Sequence, residues 1–219
     1  MKRGYIFLLA AFAAACASCE KDMVTGNGVI QTQERDVSAF TKVATEGSTV
    51  IHIEQGTDFE VKVKGYANLL PYLKTVVSNG TLSVRYEDTR SVRNDNSEVF
   101  ITMPVLTGLS SRGSGDIYVA GAFNDNSDFV AAISGSANIT IEKGSADHFT
   151  LQSSGSGNFK SFGFTAATAD ITITGSGDAE IGIAQQLKAK IRGSGNIYYK
   201  GDPGAVEIEI SGSGKVMKR

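Results

Sequence analysis

The chain has 219 residues, 41 % of them hydrophobic, with 25 Gly, 3 Pro, 2 Cys and no Trp. That is enough apolar material for one sizeable core or two small ones. The formal net charge of −2 moves to −4 once Lys2 and Arg3 are removed with residues 1–18, which argues against a nucleic-acid surface, since that needs a basic stripe.

The first residues are not fold. Lys2-Arg3 is a positive n-region, and Tyr5 to Ala15 is an apolar stretch too short to span a bilayer as a helix. Both cysteines lie at its end, in Cys16-Ala17-Ser18-Cys19-Glu20-Lys21-Asp22. Small residues directly before a cysteine resemble a lipoprotein processing site. Cys19, with Ala17-Ser18 before it and a charged run after it, is the expected acylated residue, and Cys16 is the runner-up. Residues 1–18 are then a signal peptide and 19–28 a tether. The folded part has no cysteine and so no disulfide framework.

Residues 29–108 read as an irregular β-rich head continuous with the C-terminal half of the chain. Val29 to Arg35 is a candidate first strand. Ser48 to Glu54 and Phe59 to Lys64 alternate apolar and polar, and the turn Gln55-Gly56-Thr57-Asp58 between them makes them candidate neighbours. Asn68 could cap a short helix that holds Leu69, Leu70 and Leu73 on one side. Asn79-Gly80 is a turn dipeptide before the strand Leu82 to Tyr86. Asp88 to Ser97 reads as a loop, and Val99 to Met103 and Val105 to Leu109 lead toward residue 109.

Residues 109–219 carry a repeat. One phrase returns six times: Gly113-Ser114-Gly115-Asp116, Gly135-Ser136-Ala137-Asn138, Gly155-Ser156-Gly157-Asn158, Gly175-Ser176-Gly177-Asp178, Gly193-Ser194-Gly195-Asn196 and Gly212-Ser213-Gly214-Lys215. The leading glycines are 22, 20, 20, 18 and 19 residues apart, a solenoid period. Residues alternate on both sides. Positions two and four before each glycine are mostly apolar, as in Ile171 and Ile173, and so is the position four after it, as in Ile139 and Phe159. This pattern is strand, tight corner, strand, with one face inward. The fold class is all-β: a single-stranded parallel β-helix of about 20 residues per coil with an irregular N-terminal β-rich cap. Gly113, Gly135, Gly155, Gly175, Gly193 and Gly212 are expected to be corner residues of purely structural role.

The leader, the run Ile30 to Phe40 and phrases such as Gly193-Ser194-Gly195-Asn196-Ile197 together resemble the family called putative auto-transporter adhesin, head GIN domain. The likeness covers roughly residues 30–216. It implies a right-handed β-helix and an adhesin-like, non-catalytic role. The chain has no strand-rich segment long enough for an autotransporter barrel after the repeats.

Candidate sites are few. The repeated phrase shares glycine and acid with calcium β-roll repeats, but those recur every nine residues, and only Asp116 and Asp178 are acidic at that position. A stacked hydrogen-bonding ladder is the plainer reading. His52 and His148 are isolated, and no metal-ligand spacing is present, so no metal and no cofactor is expected. Gly-Ser-Gly lacks the strand-to-helix setting of a nucleophile elbow. Outward polar candidates are Asp116, Asp178, Glu180, Lys160, Arg112 and Arg192, with Tyr118 and Tyr198 as outward aromatics. The expected protein is a lipid-anchored component of the cell envelope, at the outer membrane. It reaches the membrane through its N-terminal acyl chain, and its faces bind a glycan or a surface protein. The alternative is a carbohydrate-active enzyme or polysaccharide-binding module using an outer face, which would show as an acid/base pair within ~5 to 10 Å.

Overall fold

The computed structural model describes residues 22–87 and 90–219, and among these every regular element is a strand. Cys16 and Cys19 lie outside the described residues. Nine strands precede the repeats: β1 (Asp22–Thr25), β2 (Ile30–Glu34), β3 (Lys42–Gly47), β4 (Val50–Gln55), β5 (Glu60–Tyr66), β6 (Leu73–Ser78), β7 (Thr81–Tyr86), β8 (Arg90–Arg93) and β9 (Glu98–Met103). The repeats supply β10 (Gly108–Gly113), β11 (Ile117–Gly135), β12 (Ile139–Gly155), β13 (Phe159–Gly175), β14 (Ala179–Gly193), β15 (Ile197–Lys200), β16 (Ala205–Gly212) and β17 (Val216–Lys218).

The strands coil into a parallel β-solenoid of about six turns, roughly 20 residues each. Its corner column is Gly47, Gly113, Gly135, Gly155, Gly175, Gly193 and Gly212, paired in register from coil to coil. Gly175 shows why the position takes glycine. Its φ is +131°, and a Cβ there would collide with the backbone carbonyl of Gly155. That carbonyl accepts the amide of Ser176 at 2.8 Å. Gly47 belongs to the same column, so the periodic corner begins 66 residues before Gly113, at a phrase, Gly47-Ser48-Thr49, that the spacing does not reveal.

Just after each corner runs a side-chain ladder. Asn138 donates its backbone N–H and Nδ2 to Asp116 Oδ1 at 2.7 and 3.2 Å. Asn158 does the same to Asn138 Oδ1, and Asn196 to Asp178 Oδ1. The amide of Asp178 bonds Asn158 Oδ1 at 2.9 Å, and that of Lys215 bonds Asn196 Oδ1 at 3.1 Å. Each rung satisfies a turn amide of the coil above it.

One hydrophobic cluster runs from Phe40 to Ile197 and takes in both head and repeats. Its columns mix large and small side chains, as in Ala131, Leu151, Ile171 and Ala189. Phe129, Phe149, Phe159 and Phe164 meet near its middle with centroids 5.0 to 6.2 Å apart. These rings fill the interior where a hollow solenoid would leave a channel.

The head corrects several expectations. Coils do not stack in chain order. β7 lies parallel beneath β3 and β9 parallel beneath β4, so residues 81–103 form a coil below residues 42–55, while residues 108–120 sit above. The alternating runs of β4 and β5 are therefore not neighbours, because β9 comes between them. β6 pairs β7 antiparallel, and β5 and β2 continue antiparallel from β9, which ends the parallel stack. Residues 67–72 are successive turns rather than a helix. Leu69 donates to Tyr66 and Tyr72 to Leu69 while Leu69, Leu70 and Leu73 are buried, and Pro71 has no amide to extend a helix. The expected tether contains β1 and the expected loop contains β8, and these two pair in parallel.

The opposite end has no such cover. Val206, Ile208 and Ile210 of β16 point toward the core side yet are 40, 50 and 41 % exposed, because no described coil lies over them. The alternation that predicts burial at Ile208 and Ile210 holds only where a next coil exists.

Candidate binding face

One outward column crosses β5, β9, β4, β11, β12, β13, β14, β15 and β17. It reads Lys62, Phe100, His52, Tyr118, Thr140, Lys160, Glu180, Tyr198 and Met217, each in register with the next. The strand period puts these side chains outside because Ile51, Ile53, Val99, Ile101, Ile117 and Val119 go inside.

Three successive rings in this column stack. His52 lies 4.9 Å from Phe100 at 11° and 5.6 Å from Tyr118 at 16°. Reading residue by residue leaves His52 an isolated surface histidine. Its partners come from residues 100 and 118, brought beside it by the out-of-order coil, and no local signal links them. Charged groups surround the stack. His52 Nε2 is 3.4 Å from Glu98 Oε2, and Lys64 Nζ is 3.8 Å from Glu98 Oε1. Lys62 Nζ meets Glu60 at 2.5 Å, which raises the Lys62 pKa. The Tyr118 hydroxyl donates to Asp116 Oδ2 at 3.1 Å; partial burial and that carboxylate raise its pKa.

The other predicted outward residues are dispersed. Arg112 pairs with Glu46 at 3.4 Å across β10 and β3. Arg192 lies four coils away on β14, beside Glu209, whose carboxyl Lys190 and Arg192 hold below its ordinary pKa. Asp116 and Asp178 are three coils apart, ~14 Å at the usual strand spacing, beyond the reach of a cooperating carboxylate pair. Both are rungs of the corner ladder. His148 meets Thr168 Oγ1 at 2.5 Å on β12 and β13. Among the described residues no three His, Cys, Asp or Glu side chains gather as a metal site.

A polar knot in the head was also missed from the sequence. Tyr86 donates to Asp95 Oδ1 at 2.7 Å and lies 2.7 Å from Ser97 Oγ; Asp95 also accepts from Ser97 N at 2.9 Å and Ser48 Oγ at 2.9 Å. Burial pushes the Tyr86 pKa well up. The knot ties the lowest corner to the one above it.

This is a filled β-solenoid of adhesin-like type, whose accessible chemistry sits on its outer faces. The chain belongs to the family described as "Putative auto-transporter adhesin, head GIN domain", whose model matches residues 39–203. A solved structure of a putative adhesin from Bacteroides fragilis NCTC 9343 is similar, with a TM-score of 0.70 and 22 % identity over 90 % of this chain and 100 % of that one. A putative lipid binding protein from Parabacteroides distasonis ATCC 8503 superposes with a TM-score of 0.60 at 25 % identity, over 90 and 100 % of the two chains. A putative adhesin from Parabacteroides merdae ATCC 43184 gives 0.56 at 22 % identity, over 90 and 99 %. Comparison with curated proteins finds no sequence match. Among the described residues no helix is long and apolar enough to cross a membrane.

Proposed function

We propose that the protein is a lipid-anchored, adhesin-like binding protein of the cell envelope, tethered at the outer membrane through Cys19 and holding a glycan on an outer face of its solenoid without turning it over. The observation that carries this is the outward stack of Phe100, His52 and Tyr118. The interior is filled by phenylalanines, so a ligand meets the outside. On that outside, exposed rings beside charged groups are a surface that can grip a partner with both apolar and polar parts. The filled core also speaks against housing an acyl chain inside, as a lipid carrier would.

Two measurements test the reading. Mass spectrometry of the mature N-terminus is expected to find an acylated Cys19 as the first residue; an unmodified start elsewhere, or acylation at Cys16, overturns the anchor. A glycan array run in parallel with a turnover assay is expected to show retention without product. Released oligosaccharide would make the protein an enzyme and overturn the binding role.

A further inference from the structure

The outward rings on this side of the solenoid are mostly closed off. Lys200 Nζ sits over Phe162 at 4.5 Å, and Arg219 Cζ over Tyr198 at 4.6 Å. His52 has Phe100 on one side and Tyr118 on the other. Tyr118 differs. His52 covers one face of its ring, and the residue in register on the other side is Thr140, followed by Lys160. Tyr118 is 42 % exposed.

Thr140 carries only a methyl and a hydroxyl beyond its Cβ. Two coil spacings separate Tyr118 from Lys160, about 9.6 Å. A ring stacked on Tyr118 takes about 5 Å of that. Register and spacing thus leave a notch with room for one ring over Thr140, between the Tyr118 ring and the strand position of Lys160. Glu142, outward on the same strand as Thr140, stands at its rim. Neither the Lys160 nor the Glu142 side chain has an ion-pair or hydrogen-bond partner among the described residues. One cation and one carboxylate thus flank the Thr140 position with no ion pair of their own.

We propose that this notch binds one pyranose ring of a neutral glycan. A saccharide ring has an apolar C–H face and a rim of hydroxyls. Tyr118 offers the matching flat surface. Lys160 Nζ donates to the hydroxyls, and the Glu142 carboxylate and Thr140 hydroxyl accept from them. A uronic acid is disfavoured, because Glu142 and Asp116 flank Thr140 and Tyr118 and the one cation of the column there, Lys160, has Glu180 in register on its far side. The proposal rests on the glycan-binding role above and locates it.

The test uses the full chain with maltohexaose, cellohexaose and mannohexaose as neutral probes, hexagalacturonate as an anionic probe and p-cresol as an aromatic one. Saturation-transfer NMR reads the sugar ring protons, and tyrosine fluorescence gives the affinity, with no Trp to obscure it. At least one neutral probe is expected to bind with saturation concentrated on one C–H face. Tyr118→Ala and Thr140→Tyr, the second filling the notch, are each expected to weaken it about tenfold or more, as loss of one stacking platform should. Val130→Ala, at an exposed position outside this column, should leave it unchanged, and melts should show all three variants folded. Neutral-probe binding unaffected by the first two variants would overturn the site while leaving the glycan-binding role standing. Silence of all neutral probes together with an empty glycan array would overturn both. Preference for hexagalacturonate or p-cresol at Tyr118 would overturn the ligand class.

Discussion

At Gly175 two penalties coincide. A side chain there must adopt a φ of +131° and also displace the backbone carbonyl of Gly155, which belongs to a hydrogen-bonded corner and cannot swing away. Gly175→Val is expected to cost about 3 to 5 kcal/mol, combining backbone strain with overpacking. Gly28 has φ +85° but open space around it. Gly28→Ala should therefore cost only about 1 kcal/mol. Equal losses in denaturant melts would mean that close approach contributes nothing at the corner. Tyr86 supplies a pH signature. Its folded pKa is raised above the ordinary 10.0 by burial and by Asp95, so above that pH the unfolded chain ionises while the folded one stays neutral. Stability from this group is complete below pH 10 and is lost as pH rises further. Thermal melts should show Tm falling above pH 10, and Tyr86→Phe should flatten that alkaline limb while lowering Tm near neutrality through the lost bonds to Asp95 and Ser97.

At the scale of one strand, the same residue type has different value according to what lies above it. Ile173 on β13 is fully buried, with Ile191 in register on β14. Ile173→Ala is expected to cost about 2 to 5 kcal/mol as a cavity. Ile208 occupies another inward position on β16, two residues before the one in the column of Ile173, and half its surface faces water. Ile208→Ala should cost about 1 kcal/mol or less, since most of the transfer gain is missing. Comparable losses at the two sites, measured by urea unfolding, would contradict the open end. The terminal strand is held by outward charges as well. β14 presents Lys188, Lys190 and Arg192 opposite Glu207, Glu209 and Ser211, and Lys190 reaches Glu209 at 2.5 Å. Such exposed pairs contribute little each and weaken with salt.

Across the whole molecule the two ends differ. The lower end is finished by antiparallel β6, β5 and β2, together with the turn that buries Leu69 and Leu70. At the upper end of the described residues, Val206, Ile208 and Ile210 of β16 are half-exposed, while Val216 of β17 is partly buried against the core. A solenoid's stability is a sum of coil and interface terms, so a coil with one neighbour opens more readily than one with two. Amide hydrogen exchange should run fastest in β16 and β17 and slowest in β11 through β13. Protection of β16 equal to that of β12 in dilute monomeric protein would show that the terminal coil is not the weak one.

Period-two alternation around a glycine recurring every 18 to 22 residues was enough to define the solenoid, its coil length, its inward columns and its corner. The reason is that each coil repeats one short-range problem, a sharp turn between two half-buried strands, and the answer must be written into every coil. The head was legible only as strands. Which strand stacks on which there depends on contacts between residues far apart, and nothing local marks that β9 slips between β4 and β5 or that Gly47 joins the corner of Gly113. The candidate site inherits that limit. Tyr118 was visible as an outward aromatic, but its stack with His52 and Phe100, and the notch over Thr140, exist only because tertiary pairing lays three separate strands side by side at one coil spacing.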